Sequence, residues 1–402
     1  MDISQILNGK RILLVFCSLE LAGAQRQGMH LARYLKGMGC DVSVMATNGR
    51  TGFFNKECSD AGIPWSIQRF HWPCRKISLL RDSWAMVRTL RKVRPNVILS
   101  YTTWANVGCG LTWRLSPARM CIWSQRGVNS LRGDALERFV YRRVSAVICN
   151  AGHEVGYLHQ TLGETPAPVH VVHNGVQLAP CQKTRAEWRG ELGIEGYSTV
   201  ATMVANFGHY KDHPTLLRAW QKVLKSLPEG QTYPRLLLAG FANSIPYLEV
   251  VQRLIIELGI EGSVKILGQV RDVSGLLAAS DIGILASGRV DIISPNEQSP
   301  FAQEGLSNSV LEYMASGLPV VATDLPGNHE ALGENPQQPF CKLGDADSLC
   351  ACLKVFLHDP NLCRELGERN QQRALADFSL ESMCEKTVGI IANLLDGATR
   401  IM

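Results

Sequence analysis

The sequence predicts a doubly wound α/β protein made of two Rossmann-like halves, and three observations carry that reading. Short apolar runs of strand length alternate with longer segments whose apolar residues recur at helical spacing. The runs are apolar nearly throughout instead of alternating with polar residues, as strands covered on both faces of a parallel sheet are. The pattern then restarts after the polar stretch Gln177–Gly196, which asks for two sheets, each with its own core.

In the first half the strand candidates are RILLVFC (Arg11–Cys17), DVSVMA (Asp41–Ala46), NVILSY (Asn96–Tyr101), MCIWS (Met120–Ser124), SAVICN (Ser145–Asn150) and VHVVHN (Val169–Asn174). Helical spacing marks Gln25–Met38 and Leu79–Arg94 between them. In the second half STVATMVA (Ser198–Ala205), RLLLAG (Arg235–Gly240), SVKILG (Ser263–Gly268), DIGILA (Asp281–Ala286) and PVVATD (Pro319–Asp324) repeat the scheme. Sheets of this kind bind ligands at the carboxyl ends of their strands, so the expected site is the cleft where the two halves face each other.

Composition narrows the class. A chain of 402 residues, 46% hydrophobic and 19% charged, has material for two cores. No apolar run reaches the ~18 residues of a membrane span, and the N-terminus MDISQILNGKRILLVFC lacks the form of a secretion signal, so a cytoplasmic location is expected. The thirteen cysteines are an odd number, scattered without metal-site spacing, and are read as reduced core thiols. Charge is unevenly spread: residues 1–173 carry 22 Lys+Arg against 10 Asp+Glu (+12), leaving 19 against 26 (−7) for residues 174–402. A basic half suits phosphates or anionic lipid head groups, including those on the inner face of a cytoplasmic membrane; nucleic-acid signatures are absent. The basic amphipathic stretch Arg75–Pro95 fits two roles, a helix covering the sheet or one resting on a membrane through Arg81, Arg88, Arg91 and Trp84.

The stretch EGLSNSVLE (Glu304–Glu312) concentrates the chemistry. Ser309 and Glu312 read as a capping box, which puts Glu312 in the first turn of a helix. Glu304, beside Gly305, lies before that helix, where no helix rule asks for a carboxylate. A helix opening near Ser307–Ser309 offers free N–H groups and a positive dipole end to an anion such as phosphate. Lys211, in ANFGHYKDHPTLLRAW after the first strand of the second half, adds a point charge. The small residues of LAGAQRQ (Leu21–Gln27) let a second helix N-terminus approach. His209 and His213 read as loop and cap residues. The dinucleotide fingerprint G-x-G-x-x-G is missing, and Ala46-Thr47-Asn48 stands where a NAD enzyme needs an acid.

The stretch Glu304–Leu332, EGLSNSVLEYMASGLPVVATDLPGNHEAL, resembles the signature of the retaining GT-B glycosyltransferases of family 4 (GT4). HNGV (His173–Val176), Lys211 with HPTLLRAW, and ASDIGILAS (Ala279–Ser287) support it, and a weaker likeness runs along nearly the whole chain. The resemblance implies a GT-B architecture, with an acceptor-binding domain at 1–176, a nucleotide-sugar-binding domain at 177–377, and a closing helix in 378–402 (FSLESMCEKTVGIIANLL, Phe378–Leu395) that returns to the first domain. It implies that Glu304 holds hydroxyls of the donor sugar, Glu312 the nucleotide ribose and Lys211 the diphosphate. Backbone around Ala22–Gly23, Gly305–Leu306 and Asn308–Ser309 would meet donor and phosphate, and the turn Gln269–Asp272, with Gln269 and Val270, the base. No metal is required in that family.

Three departures stand out. Asn206 occupies the neighbourhood of the arginine that usually shares the diphosphate with the lysine. WSQRGVN, with Gln125 and Arg126, replaces an acceptor-side histidine, which makes Arg126 the compensating candidate. Sixteen residues, Gly288–Gln303, separate Ser287 from Glu304 where the family has a few, and their position and length suggest a lid. The expected activity is therefore metal-independent, retaining transfer from a UDP-hexose or UDP-N-acetylhexosamine to a glycan hydroxyl, soluble or lipid-linked, in polysaccharide or glycolipid synthesis. A nucleotide-sugar 2-epimerase and a non-catalytic nucleotide-sugar binder are the alternatives the same fold supports.

Overall fold

The computed structural model describes residues 3–20, 22–71, 76–127, 131–196, 198–228, 233–287 and 305–400. The chain groups into two compact units, Met1–Gly175 with Glu304–Leu306 and Leu380–Met402, and Val176–Gln303 with Ser307–Ser379. Each unit has an all-parallel sheet with helices on both faces.

The first sheet contains β1 (Arg11–Phe16), β2 (Asp41–Ala46), β3 (Trp65–Ile67), β4 (Val97–Tyr101), β5 (Met120–Gln125), β6 (Ala146–Cys149) and β7 (Val169–Val171), in the order β3-β2-β1-β4-β5-β6-β7. Alternation along β1 shows why its residues are apolar throughout. Ile12, Leu14 and Phe16 pack into one core with Met29 and Leu35 of the Gly23–Gly37 helix, whereas Leu13 and Val15 pack into a second with Met86 and Leu90 of the Lys76–Val93 helix. The closing helix, Leu380–Arg400, buries Met383, Val388, Ile391 and Leu395 in the first of these cores.

The second sheet contains β8 (Val200–Val204), β9 (Arg235–Ala239), β10 (Val264–Gly268), β11 (Ile282–Leu285), β12 (Val320–Thr323) and β13 (Phe340–Cys341), in the order β10-β9-β8-β11-β12-β13. Strand order reverses between β1 and β4 in one sheet and between β8 and β11 in the other. Chain leaving those neighbours heads in opposite directions, which opens a crevice at their carboxyl ends.

Every strand expected from the apolar runs is present: Asp41–Ala46 keeps its bounds, Met120–Ser124 gains Gln125, and the others lose a residue or more at their ends. Val169–Asn174 contributes only Val169–Val171. Two strands carry no such run: β3 is three exposed residues at a sheet edge, and β13 is two residues long. The capping-box reading is corrected. Ser307 occupies the N-cap position of the Asn308–Ala315 helix, without a side-chain cap bond, so Ser309 is already helical and Glu312 falls in the second turn. His213 does not cap its helix either: Asp212 does, accepting from Thr215 N at 3.0 Å, while His213 is fully buried and stacked on Phe207. All cysteines among the described residues are free thiols.

Candidate functional site

In the second unit, the crevice between β8 and β11 draws several of the expected residues to one place. Past the end of β8 the chain turns so that Lys211 forms an antiparallel bridge with Ser287, which follows β11. Lys211 N donates to Gly208 O at 2.9 Å and its carbonyl accepts from the Tyr247 hydroxyl, so the backbone under this half-buried lysine is held from two sides. The Asn308–Ala315 helix begins at the same strand ends. Its Ser309 Oγ donates to Val204 O at 2.6 Å, Tyr313 Oη accepts from Val204 N at 2.6 Å and donates to Ile284 O at 3.1 Å. These bonds tie the helix to the last residue of β8 and to β11, so its N-terminal N–H groups are fixed at the switch point.

Asn308 and Glu312 are four residues apart and share a helix face, which puts Glu312 one turn behind the N-terminus. Asn206 has a task of its own: its Oδ1 accepts from Phe241 N at 3.2 Å, a bond an arginine there would lose. Gln269 is exposed just after β10, and Val270 packs half-buried against the core of Leu237 and Leu276. Asp272 caps the Val273–Ala278 helix and also accepts from Gln182 N, Lys183 N and Trp188 Nε1 at 3.1, 3.0 and 2.8 Å, an anchor that immobilises this turn.

In the first unit, Ala22 caps the Gly23–Gly37 helix, and both Ala22 and Gly23 are exposed beyond β1. Across the switch point, beyond β4, Thr102 has φ +71° and ψ 159°, a backbone region nearly reserved for glycine. Its Oγ1 lies 2.7 Å from Cys17 Sγ and donates to Tyr101 O. A threonine ending an apolar run gives no sign of this strain in sequence.

Arg126 follows β5. Its Nε donates to Ser124 Oγ at 3.0 Å, its Nη1 to Asn174 Oδ1 at 2.5 Å, and its guanidinium lies over the Tyr101 ring. Asn174 Nδ2 in turn donates to Leu306 O at 2.8 Å. Gly305 is glycine for a steric reason: a Cβ there would run into the Asn150 amide and lie 2.7 Å from Glu154 Oε1. Glu304 and the segment Gly288–Gln303 lie outside the described residues.

Asn150 and Glu154 are the residues that sequence reasoning missed. Glu154 is fully buried, and its carboxylate accepts from Gly127 N, Asn150 N and Ala151 N. With both oxygens engaged by backbone, it straps the turn after β6 to the one after β5. Burial pushes its pKa from 4.5 up to about 7, against the backbone bonds and Arg126, which favour the anion. The folded state therefore holds the proton that the unfolded chain releases between those values, and stability falls as pH rises through that window. Replacing Glu154 with Gln should remove this slope. Urea midpoints at pH 4.5 and 7.5 should show the variant gaining about 2–3 kcal/mol relative to the parent at the higher pH; a pH-independent gap would contradict the assignment.

Two family models match overlapping stretches of the chain. "Glycosyltransferase Family 4" covers residues 21–194, and "Glycosyl transferases group 1" covers residues 184–373. The chain belongs to the group 1, family 4 glycosyltransferases. This glycosyltransferase resembles EpsD of Bacillus subtilis, at 29% identity over 389 residues, 92% of this chain and 93% of that one. It also resembles the Escherichia coli UDP-Gal:alpha-D-GlcNAc-diphosphoundecaprenol alpha-1,3-galactosyltransferase, at 21% over 389 residues, 91% and 92% of the two chains. Among solved structures, Anabaena Alr3699/HepE in complex with UDP-glucose superposes with a TM-score of 0.79 at 18% identity, over 95% of this chain and 99% of that chain. The glycosyltransferase thus has the GT-B fold along nearly its whole length.

Proposed function

We propose that the protein transfers a hexose or N-acetylhexosamine from its UDP-sugar to a hydroxyl of a lipid-linked glycan, with retention at the anomeric carbon and without a metal ion. The observation that carries this reading is the β8/β11 switch point, where Lys211, the Ser287 strand end and the N-terminus of the Asn308–Ala315 helix are fixed side by side. That is a site for a diphosphate. A UDP donor is supported by the UDP-glucose bound in the HepE structure, and a lipid diphosphate acceptor by the substrate named for the Escherichia coli relative.

In this reading Lys211 and the Asn308–Ser309 N–H groups stabilise the charge that builds on the diphosphate as its bond to the anomeric carbon breaks. Gln269 and Val270 border the base, Glu312 takes the ribose, and Glu304 holds sugar hydroxyls with the backbone of Gly305 and Leu306. Ala22 and Gly23 supply the second helix N-terminus, Asn206 lines the diphosphate side and Arg126 serves the acceptor side. The acceptor oxygen attacks on the face the diphosphate leaves. Its proton passes to the departing phosphate, so the new glycosidic bond keeps the configuration of the old one.

The test is a panel of radiolabelled nucleotide sugars with and without polyprenyl-diphosphate-linked acceptors, following transfer, epimerisation and hydrolysis separately. Transfer from a UDP-sugar with the anomeric configuration retained by NMR, and undiminished in EDTA, is expected. Epimerisation without acceptor, or binding without turnover, would overturn the reading.

A further inference from the structure

The Lys76–Val93 helix covers the first sheet with one face only. Met86 and Leu90 are fully buried, while Ile77, Leu80 and Trp84 on the opposite face are 82%, 73% and 63% exposed. At 100° per residue these three fall within about one third of the helix circumference together with Arg81, Arg88, Arg91 and Lys92, all exposed. The outward face is therefore apolar in its N-terminal half and cationic in its C-terminal half. Arg88 lies over the Trp84 ring at 4.7 Å where the halves meet.

The surface continues onto two neighbours. Arg91 Nε donates at 2.9 Å to the carbonyl of Leu115, which is 60% exposed at the end of the short Trp113–Leu115 helix. Arg114 from that helix donates to Arg143 O at 3.4 Å, and Arg143 lies over Phe139, itself 49% exposed on the Ala135–Tyr141 helix. The three helices contain only two carboxylates, Asp82 and Glu137. Both are buried. Asp82 is paired with Arg81 at 3.0 Å, and Glu137 accepts from Arg132 N and Gly133 N at 2.8 and 2.7 Å. Arg81 is thus neutralised by Asp82, and no carboxylate on these helices is left for Arg88, Arg91 or Arg114.

We infer that this face, from Ile77 to Phe139, is where the protein rests on an anionic phospholipid bilayer. Ile77, Leu80, Trp84, Leu115 and Phe139 enter the head-group boundary, and Arg88, Arg91 and Arg114 meet lipid phosphates. A protein partner matched to so many arginines would have to be strongly acidic and equally apolar, whereas a bilayer surface offers both chemistries over any area. The inference rests on the transferase reading only for the reason to visit a membrane.

The experiment is vesicle sedimentation of the full chain, without donor or acceptor, using phosphatidylglycerol/phosphatidylethanolamine and pure phosphatidylcholine vesicles. Binding to the first and not the second is expected. Ile77→Ser, Leu80→Ser and Trp84→Ser together, and separately Arg88→Glu with Arg91→Glu, should each weaken binding tenfold or more while leaving UDP affinity and far-ultraviolet dichroism unchanged. A parent protein that ignores phosphatidylglycerol, or variants that bind like the parent, would overturn the inference, as would a dimer in ultracentrifugation that the apolar variant abolishes. Transfer that persists while vesicle binding fails sinks this surface alone. Vesicle binding without transfer from any donor sinks the enzymatic reading and leaves the surface standing.

Discussion

Glu304→Ala is expected to cut sugar transfer by about 100-fold or more while leaving UDP binding within a factor of about two. A carboxylate that holds two sugar hydroxyls makes charge-assisted bonds worth about 1.5–3 kcal/mol each, whereas the ribose and diphosphate of UDP are assigned to other side chains, Glu312 and Lys211. Calorimetry with UDP and initial rates with the UDP-sugar separate the two quantities. Turnover near the parent level would remove Glu304 from the chemistry and, with it, the central role carried by the family resemblance. Its neighbour restricts how the result is read: Gly305 packs against the Asn150 amide and Glu154 with no room for a side chain, so a scan through this segment confuses steric damage with lost chemistry at the next position.

Lys211→Ala should lower kcat/KM by roughly 30-fold or more, equivalent to about 2 kcal/mol of lost transition-state stabilisation. Asn206 is engaged with Phe241 N and supplies no charge, so little is left nearby to compensate. Lys211→Arg should recover part of the loss, because the bridge to Ser287 and the Tyr247 bond hold the backbone independently of the side chain. EDTA should leave both parent and variant unchanged. An alanine variant as fast as the parent, or strict metal dependence of the parent, would show that the diphosphate charge is met by other means.

How far the sequence was legible depended on what each residue had to satisfy. Central strands such as β1 and β4 announce themselves because burial on both faces leaves them apolar nearly throughout; Ser100, the polar exception in β4, is buried with its hydroxyl bonded to Ile122 O. The edge strands β3 and β13, which bury little or extend only two residues, leave no such trace. The helix at the candidate diphosphate site was legible in existence but not in phase. Ser307 and Ser309 both suit a cap, and what separates them is the bond from Ser309 to Val204 O, a contact across more than a hundred residues of chain. Glu154 was hidden for a different reason: a glutamate in the first turn of a helix is ordinary on the surface, and only the fold shows it buried under three backbone N–H groups. Lys211 was found through its motif, while its fixed backbone became visible only with β11 in place.

The Leu380–Arg400 helix has a consequence for how the protein is made. Its Met383, Val388, Ile391 and Leu395 complete a core whose other members, among them Leu7, Ile12 and Leu14, leave the ribosome first. The part of this core that the Gly23–Gly37 helix does not cover therefore waits through synthesis of the whole second unit, more than two hundred residues in sequence. At about 5–20 residues per second that is an exposure of roughly ten seconds or more. An early stop anywhere before Leu380 yields a first unit with part of its core laid open, which marks the truncated product for chaperones or proteolysis instead of leaving a half-enzyme in circulation.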